Sequence, residues 1–242
     1  MRAHASARAE LVDGRTRLVE LRSEAPLVLR STPQALYLVG GAAGPLGGDE
    51  LALDIAVGCG ACLAVRSAAA TLAQPGSRPS PSRTSVRFAV GNSASLDWHP
   101  QPLVSVCGSD HIVDTSVALS SSARLRLVDE IVLGRAGEGP GRIRVRCRVD
   151  RDGVALLAHD LDLGPGAVGW DSAAIMGDAR ALISILCVGP DAPTTTSVRA
   201  DRGDGSRAAW MPLARDAALF LAVGPTLLAA RHLSRSLGVR HP

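Results

Sequence analysis

Acidic residues and histidines are scattered through the first two thirds of the chain, in or beside segments that alternate between apolar and polar residues. Their carboxylate and imidazole groups are donors that a borderline divalent metal ion accepts. Burying a carboxylate without a partner is costly, so most of these groups are expected to be solvated or paired with arginine. The same pattern also suits a passage with weak, successive metal contacts. The residues are Asp49, Asp54, Asp97, His99, Asp110, His111, Asp129, Glu130 and Asp160.

Two of the five cysteines form a C-x-x-C motif at Cys59 and Cys62. Such a pair can act as a redox centre or as half of a zinc site. This motif follows a strand pattern rather than opening a helix, and no second C-x-x-C or H-x-x-x-H supplies the missing ligands. Cys107, Cys147 and Cys187 occur singly, and Cys147 falls at an apolar position of an alternating segment. A structural role as small apolar side chains is therefore favoured for all five.

Motifs of P-loop nucleotide-binding proteins and of common hydrolases do not occur: there is no P-loop, G-x-S-x-G or H-E-x-x-H. The glycine-rich run from Gly40 to Gly48 lacks the Lys-Ser/Thr pair that would hold phosphate and metal. It is expected to be a turn-rich connection. An enzyme remains an alternative, either a solenoid hydrolase or lyase or a thiol oxidoreductase using Cys59 and Cys62. The prediction is that the chain is not an enzyme.

The composition excludes several partner classes. Of 242 residues, 46% are hydrophobic and 2% aromatic, so the core must consist of Ala, Val, Leu and Ile. All 26 basic residues are arginine and the net charge is +3, which is too mild for a nucleic-acid partner. The stretch from Ala217 to Ala230 is interrupted by Gly224-Pro225 and is shorter than the roughly 20 apolar residues of a membrane span. Without an apolar leader, a reducing, cytoplasmic location is expected.

The elements that must position these residues are strands, because apolar residues recur at every second position. In Arg142–Val149, for example, apolar residues alternate with arginine, which indicates a half-buried strand. Similar segments surround Leu53, Phe88 and Val117, separated by Gly, Pro and Ser clusters. A mainly β fold is predicted.

A weak internal repeat accompanies the strands. The pattern small-Ala-x-Leu occurs at Ala61, Ala94 and Ala123, at intervals of 33 and 29 residues. Strand-turn-strand units at near-constant spacing suggest the stacked coils of a β-solenoid. A β-sandwich with recurring turns explains the same residues equally well.

The last third has helical rather than alternating periodicity. Leu213, Ala217, Phe220, Leu221 and the residues after Gly224 recur at helical spacing. Pro225 cannot continue a helix but fits the first turn of a new one. Two helices are predicted, about Leu213 to Val223 and Pro225 to Leu237, with a loop or weak hairpin over 191–209 before them. The whole chain, 1–242, is predicted to be one domain, with a β-rich core over 1–190 and C-terminal helices within 210–238.

Four strings, kept in order and spacing from about Pro45 to Gly164, resemble those of the UreD (UreH) family of urease accessory proteins. The first runs from the Gly47-Gly48-Asp49 motif to Thr71, with its Gly60-Ala61-x-Leu63 step. The others are the Ala94-x-Leu96-Asp97-Trp98-x-Pro100-Gln101 segment, the Ala123-Arg124-Leu125 to Leu133-Gly134-Arg135 stretch around Glu130, and the Arg142–Leu163 region.

The resemblance implies a β-helix-like, solenoid-type stack of strands with a short C-terminal helical part. It also implies a urease maturation factor that binds UreF and, through UreF, the GTPase UreG. That assembly would dock on apo-urease and pass nickel to its active site. Nickel would then be in transit, with no stably bound cofactor, and GTP would belong to the partner. A generic β-solenoid interaction module that handles no metal is the alternative.

Two carboxylates inside the family motifs, Asp49 and Glu130, are the candidate nickel contacts, and Asp97 and His111 are further candidates. A carboxylate binds nickel without retaining it as a thiolate would. A structural role explains the same residues, since Asp49 can cap the Gly47-Gly48 turn and Glu130 can pair with Arg135 or Arg124.

Overall fold

The computed structural model describes residues 1–201, 203–214 and 216–239, and the predicted domain's last residues, 240–242, lie outside that part. The described residues form strands and one α-helix. The first nine strands are β1 (Arg2–Val12), β2 (Arg15–Arg22), β3 (Leu27–Ser31), β4 (Leu36–Gly40), β5 (Glu50–Val57), β6 (Cys62–Ser67), β7 (Thr71–Ala73), β8 (Ser82–Val90) and β9 (Ser95–His99). The remaining elements are β10 (Leu103–Ser105), β11 (Asp110–Leu119), β12 (Arg124–Leu133), β13 (Arg142–Arg151), β14 (Val154–Leu163), β15 (Ala181–Val188), β16 (Ser197–Ala200), β17 (Arg207–Leu213), β18 (Ala217–Gly224) and α1 (Leu227–Ser236).

The strands form two sheets that pack face to face. Sheet A has seven strands in the order β14-β13-β11-β8-β5-β1-β2, and sheet B has eleven, whose main path is β16-β17-β18-β15-β12-β9-β6-β4-β3. From β5 to β13 the chain passes back and forth between the sheets, and neighbouring strands in the coil are parallel. Parallel coils stacked in this way are the solenoid-type architecture expected from the sequence, which is confirmed.

The three repeat alanines lie one above the next at the corners of this coil. Each alanine N–H closes the same kind of turn, to the carbonyl oxygens of Gly58, Gly91 and Ser120. The corners are hydrogen-bonded to each other, because Ser95 N–H donates to Ala61 and Arg124 N–H donates to Ala94, both at 2.9 Å. All three alanines are fully buried, so a larger side chain would separate the stacked corners.

Aliphatic side chains fill the space between the sheets, as the composition requires. The largest buried cluster takes alternate residues of β1, β5 and β8 from sheet A and of β6, β9 and β12 from sheet B. Phe88 and Trp98 meet across it with ring centroids 5.1 Å apart. A second cluster lies on the outer face of sheet B, where α1 covers β12, β15, β17 and β18.

The helix predicted over Leu213 to Val223 is wrong, since these residues belong to β17 and β18. Strand β18 is buried on both faces, by sheet A on one side and by α1 on the other, so its apolar residues are continuous rather than alternating. Periodicity cannot distinguish such a strand from a buried helix. The second helix is confirmed as α1, which begins after the N-cap Thr226. The predicted weak hairpin is β16 paired with β17.

Candidate functional site

The acidic residue Asp129 faces the interior of the protein from β12. Alternation along β12 directs Leu127, Asp129 and Ile131 toward sheet A, and Glu130 toward the opposite face. Leu127 and Ile131 are 3% exposed, whereas Asp129 between them is half-buried. Asp129 therefore places a carboxyl group within an aliphatic row of β12.

The surroundings of Asp129 come from both sheets. Burial raises the pKa of the Asp129 carboxyl to about 6, and a hydrogen bond from the Trp98 side chain opposes this. Ser184 of β15 is its partner in register. Across the interior, the Cys147 thiol has its pKa raised to about 12, first by burial and then by the charge of Asp129. Asp129 and Cys147 therefore face each other between the sheets.

Cys147 belongs to a row of polar side chains on the inner face of sheet A. It lies in register with Thr115 on one side and with His159 on the other. His159 is half-buried, and burial lowers its pKa while neighbouring Asp160 opposes the shift. The inner polar belt is defined as these residues together with the facing pair of sheet B: Thr115, Asp129, Cys147, His159 and Ser184.

Apolar layers border the inner polar belt along the strands. On one side lies the main cluster, with Leu127 and Val149, and on the other lies a cluster that contains Ile131 and Ile143. The belt offers oxygen, nitrogen and sulfur donors in this setting. Among residues 1–201, 203–214 and 216–239, no three His, Cys, Asp or Glu side chains are grouped so that they could hold one metal ion.

Of the residues singled out in the sequence, Asp49 and His111 lie in the same inner row of sheet A, on either side of Ser82. Asp49 is 4% exposed, and its carboxylate accepts hydrogen bonds from the Leu46 N–H at 2.8 Å and from the Met1 amino group at 2.7 Å. The expected turn cap is thus present. His111 Nδ1 lies 2.8 Å from the Ser82 hydroxyl.

Glu130 and Asp97 lie on the outer face of sheet B, away from the belt. The Glu130 side chain is fully buried beneath α1 and accepts both a 2.8 Å hydrogen bond from Arg231 Nε and a second one from Arg231 Nη2. Pairing with Arg135 or Arg124, as expected from the sequence, is wrong, and Arg135 pairs with Glu138 instead. Asp97 is paired with Arg66 and, at 3.2 Å, with Arg126.

Similarity to known proteins identifies the family. The model of the UreD urease accessory protein family matches residues 1–239. The chain belongs to the UreD family. A UreD of Streptomyces coelicolor is 44% identical over 229 residues, which cover 91% of this chain and 89% of the relative. For a UreD of Frankia casuarinae the identity is 42% over 264 residues, covering 94% and 83%. UreD 1 of Saccharopolyspora erythraea is 35% identical over 253 residues, covering 100% and 96%.

Membership in the UreD family supports a role in urease maturation, and confirms the family resemblance of the four strings. In the part of this UreD chain that the structure describes, no helix is both long enough and apolar enough to cross a membrane.

In this UreD chain, Asp129 is one of the acids noted in the sequence but not one of the predicted nickel contacts, and His159 was not predicted at all. A signal for Asp129 was present, since Leu125-x-Leu127-x-Asp129-x-Ile131 puts a carboxylate at an apolar position of an alternating strand. His159 carried no comparable signal, because its place beside Cys147 depends on the hairpin of β13 and β14.

A pH dependence of stability is expected from His111. Burial lowers the pKa of His111 from 6.5 to about 4, although Asp110 and the Ser82 hydrogen bond oppose this. Between pH 6.5 and 4, His111 therefore binds a proton in the unfolded chain but not in the folded chain, so the free energy of unfolding falls as the pH falls. The loss approaches about 1.4 kcal/mol per pH unit within that window.

The test compares wild type with His111→Asn by urea unfolding between pH 7.5 and 4.5. Asparagine places a polar atom near the former Nδ1 and does not titrate. The stability advantage of wild type over the variant should shrink toward pH 4.5. Parallel pH profiles of the two proteins would contradict the assignment.

Proposed function

We propose that this chain is a non-enzymatic scaffold of urease maturation that binds UreF and, through it, the GTPase UreG. The assembly docks on apo-urease in the cytoplasm and passes nickel toward the urease active site through the interior of this chain. Nickel is cargo here and not a resident cofactor. The observation that carries the proposal is the inner polar belt, in which donor groups interrupt an otherwise aliphatic interior.

The chemistry of the inner polar belt suits transfer rather than storage. Nickel is a borderline ion that accepts carboxylate and imidazole ligands, and few ligands at a time give weak binding. The Trp98 indole is a neutral partner of Asp129, so it leaves the negative charge of that carboxylate to attract a cation. Half-buried side chains such as His159 and Ser184 also keep polar groups in contact with water, so the ion need not lose its whole hydration shell.

The main experiment is co-expression of the chain with UreF, UreG and apo-urease at limiting nickel. Asp129→Asn should lower the urease activity and the nickel content of urease by about tenfold, equivalent to about 1.4 kcal/mol in a rate-limiting barrier. Excess nickel should restore most of the loss. The free energy of unfolding and co-purification with UreF should stay near wild type, because asparagine keeps the shape and removes a buried charge.

Asp150→Asn is the matched control, since Asp150 is an exposed acid on the outer side of β13. Asp49→Asn and Glu130→Gln test the two carboxylates chosen from the sequence. If the two carboxylates contact nickel, both variants should lose urease activation but keep soluble yield and UreF binding. If the carboxylates are structural, activation, soluble yield and UreF binding should all fall together. Full activation by Asp129→Asn at limiting nickel would refute transit past Asp129. If UreF binding also persisted, the interaction module without metal handling would be favoured.

A further inference from the structure

The two sheets leave a gap between their inner faces, beside the inner polar belt. Four inward residues in register across sheet A are only half-buried, whereas closely packed interior side chains are fully buried. A second row of four half-buried residues crosses sheet B and begins at Asp129. The inner gap is defined by these two rows: Thr84, Val113, Val145 and Leu161 on sheet A, and Asp129, Ser184, Leu221 and Ala209 on sheet B.

The two rows of the inner gap lie opposite each other. Asp129 is flanked on the inner face of β12 by Leu127 and Ile131. Leu127 packs in the same cluster as Val149 of β13, and Ile131 packs in the same cluster as Ile143 of that strand. The row of Asp129 therefore faces the middle of β13, between two closely packed layers. Because the facing residues of both sheets are half-buried there, neither sheet fills the space between them.

Exposure of the inward residues increases toward β14, the edge strand of sheet A. In the register row of the belt, Ala5 of β1 is fully buried, Cys147 of β13 is 7% exposed, and His159 of β14 is half-buried. Sheet B continues past the gap to β16, where Val198 lies in register with Ala209 and is 72% exposed. The inner gap therefore opens to solvent at the β14 edge.

The opening at the β14 edge is apolar apart from one imidazole. The inward residues of β14 are Leu157, His159, Leu161 and Leu163, so His159 is the member of this strand's inner face with a metal-binding atom. A hydrated dication loses water at an apolar surface only at a high cost in free energy, unless a ligand replaces that water. Imidazole is a ligand that a borderline ion such as nickel accepts. His159 is therefore placed to lower the cost of entry.

We propose that the β14 edge is a mouth of the nickel passage and that His159 is the protein ligand at this mouth. The inference rests on the proposed nickel transit, and it adds the route by which the ion reaches Asp129. An imidazole nitrogen of His159 replaces one water molecule of the hydrated ion. The ion then moves along the inner gap, past Cys147, to the Asp129 carboxylate on the facing sheet.

The first test measures the opening without nickel. Because Cys147 is in register with His159, a reagent that enters at the β14 edge must pass His159 to reach the thiol. His159→Ala should speed the alkylation of Cys147 by iodoacetamide about tenfold, as measured by mass spectrometry of the peptides. His159→Phe, which narrows the mouth, should slow it.

Two controls accompany the alkylation test. His232→Ala removes an exposed histidine from α1 and should leave the Cys147 rate unchanged. Cys187 is half-buried on the outer face of sheet B, so its rate should be the same in every variant. An unchanged Cys147 rate in both His159 variants, or an equal acceleration at Cys187, would overturn the opening at β14.

The second test compares His159→Gln with His159→Glu in the co-expression assay at limiting nickel. The two new side chains have the same shape, but only glutamate offers a carboxylate that binds nickel. His159→Gln should lower the nickel content of urease about tenfold, and His159→Glu should recover most of it. Co-purification with UreF should be equal for both variants. Equal nickel content in the two variants would contradict a ligand role for His159.

Asp129→Asn in the same assay separates this inference from the proposed function. If Asp129→Asn loses nickel transfer while His159→Gln keeps it, nickel passes Asp129 but enters elsewhere, and the inference alone is overturned. If both variants transfer nickel as wild type does, transit through the interior is refuted as well. Loss of transfer in both variants, with recovery in His159→Glu, is the result expected.

Discussion

Replacing Arg231 by alanine is expected to lower the free energy of unfolding by roughly 3 kcal/mol, the lower end of the range for breaking one side of a buried ion pair. The Glu130 carboxylate would stay beneath α1 with its side chain fully buried, but without the guanidinium that donates to both its oxygens. The lower end applies because 31% of the Arg231 side chain is exposed, so water replaces part of the lost interaction. Urea unfolding of the two proteins measures the difference.

The control for this variant is Arg235→Ala, which removes the same charge from an exposed position in the last turn of the same helix. Its effect should stay within about 0.5 kcal/mol. Adding Glu130→Gln to Arg231→Ala should recover part of the loss, because an uncharged amide is less costly to bury than a carboxylate. Equal stability of Arg231→Ala and Arg235→Ala would mean that α1 is held by its apolar contacts alone.

Phe220→Ala is expected to cost roughly 3–5 kcal/mol, as is typical when a buried phenylalanine is truncated. Phe220 of β18 is fully buried, and its ring centroid lies 5.0 Å from that of Trp210 on β17. Alanine would leave a cavity between sheet B and α1 and would remove the aromatic contact. Thermal and urea unfolding should both show the loss, with a change in near-UV circular dichroism from Trp210.

Leu228→Ala is the matched control, because Leu228 is an apolar residue of the neighbouring helix that is 73% exposed. It should change the free energy of unfolding by less than about 0.5 kcal/mol. A small effect of Phe220→Ala, comparable with that of Leu228→Ala, would show that sheet B and α1 do not form one cooperative core.

The coiled part of the fold was predictable because each of its strands has one apolar and one polar face. Alternation around Cys147 and the three buried alanines of the corners carry this information locally. Strand β18 was not predictable in the same way. Both faces of β18 are buried, one of them beneath α1. Local periodicity cannot show that a helix from elsewhere in the chain covers a strand.

The candidate site was predictable only where one strand determines it. Alternation along β12 alone separates the inward Asp129 from the outward Glu130. Partners distant in sequence could not be predicted, since Glu130 and Arg231 are 101 residues apart in the chain. The facing of Asp129 and Cys147 likewise depends on how the two sheets pack, which no single segment encodes.

The position of Trp98 gives this protein a built-in optical signal. The chain has three tryptophans and one tyrosine, so its ultraviolet emission comes from few sources. Trp98 touches the Asp129 carboxylate, whereas the Trp210 Nε1–H donates to the Leu237 carbonyl oxygen at the end of α1. With Trp170 and Trp210 replaced by phenylalanine, Trp98 is the remaining tryptophan, and its emission reports on the interior. Protonation of Asp129 or the arrival of a paramagnetic ion beside it then becomes a change in emission intensity, which stopped-flow mixing can follow in real time without an added label.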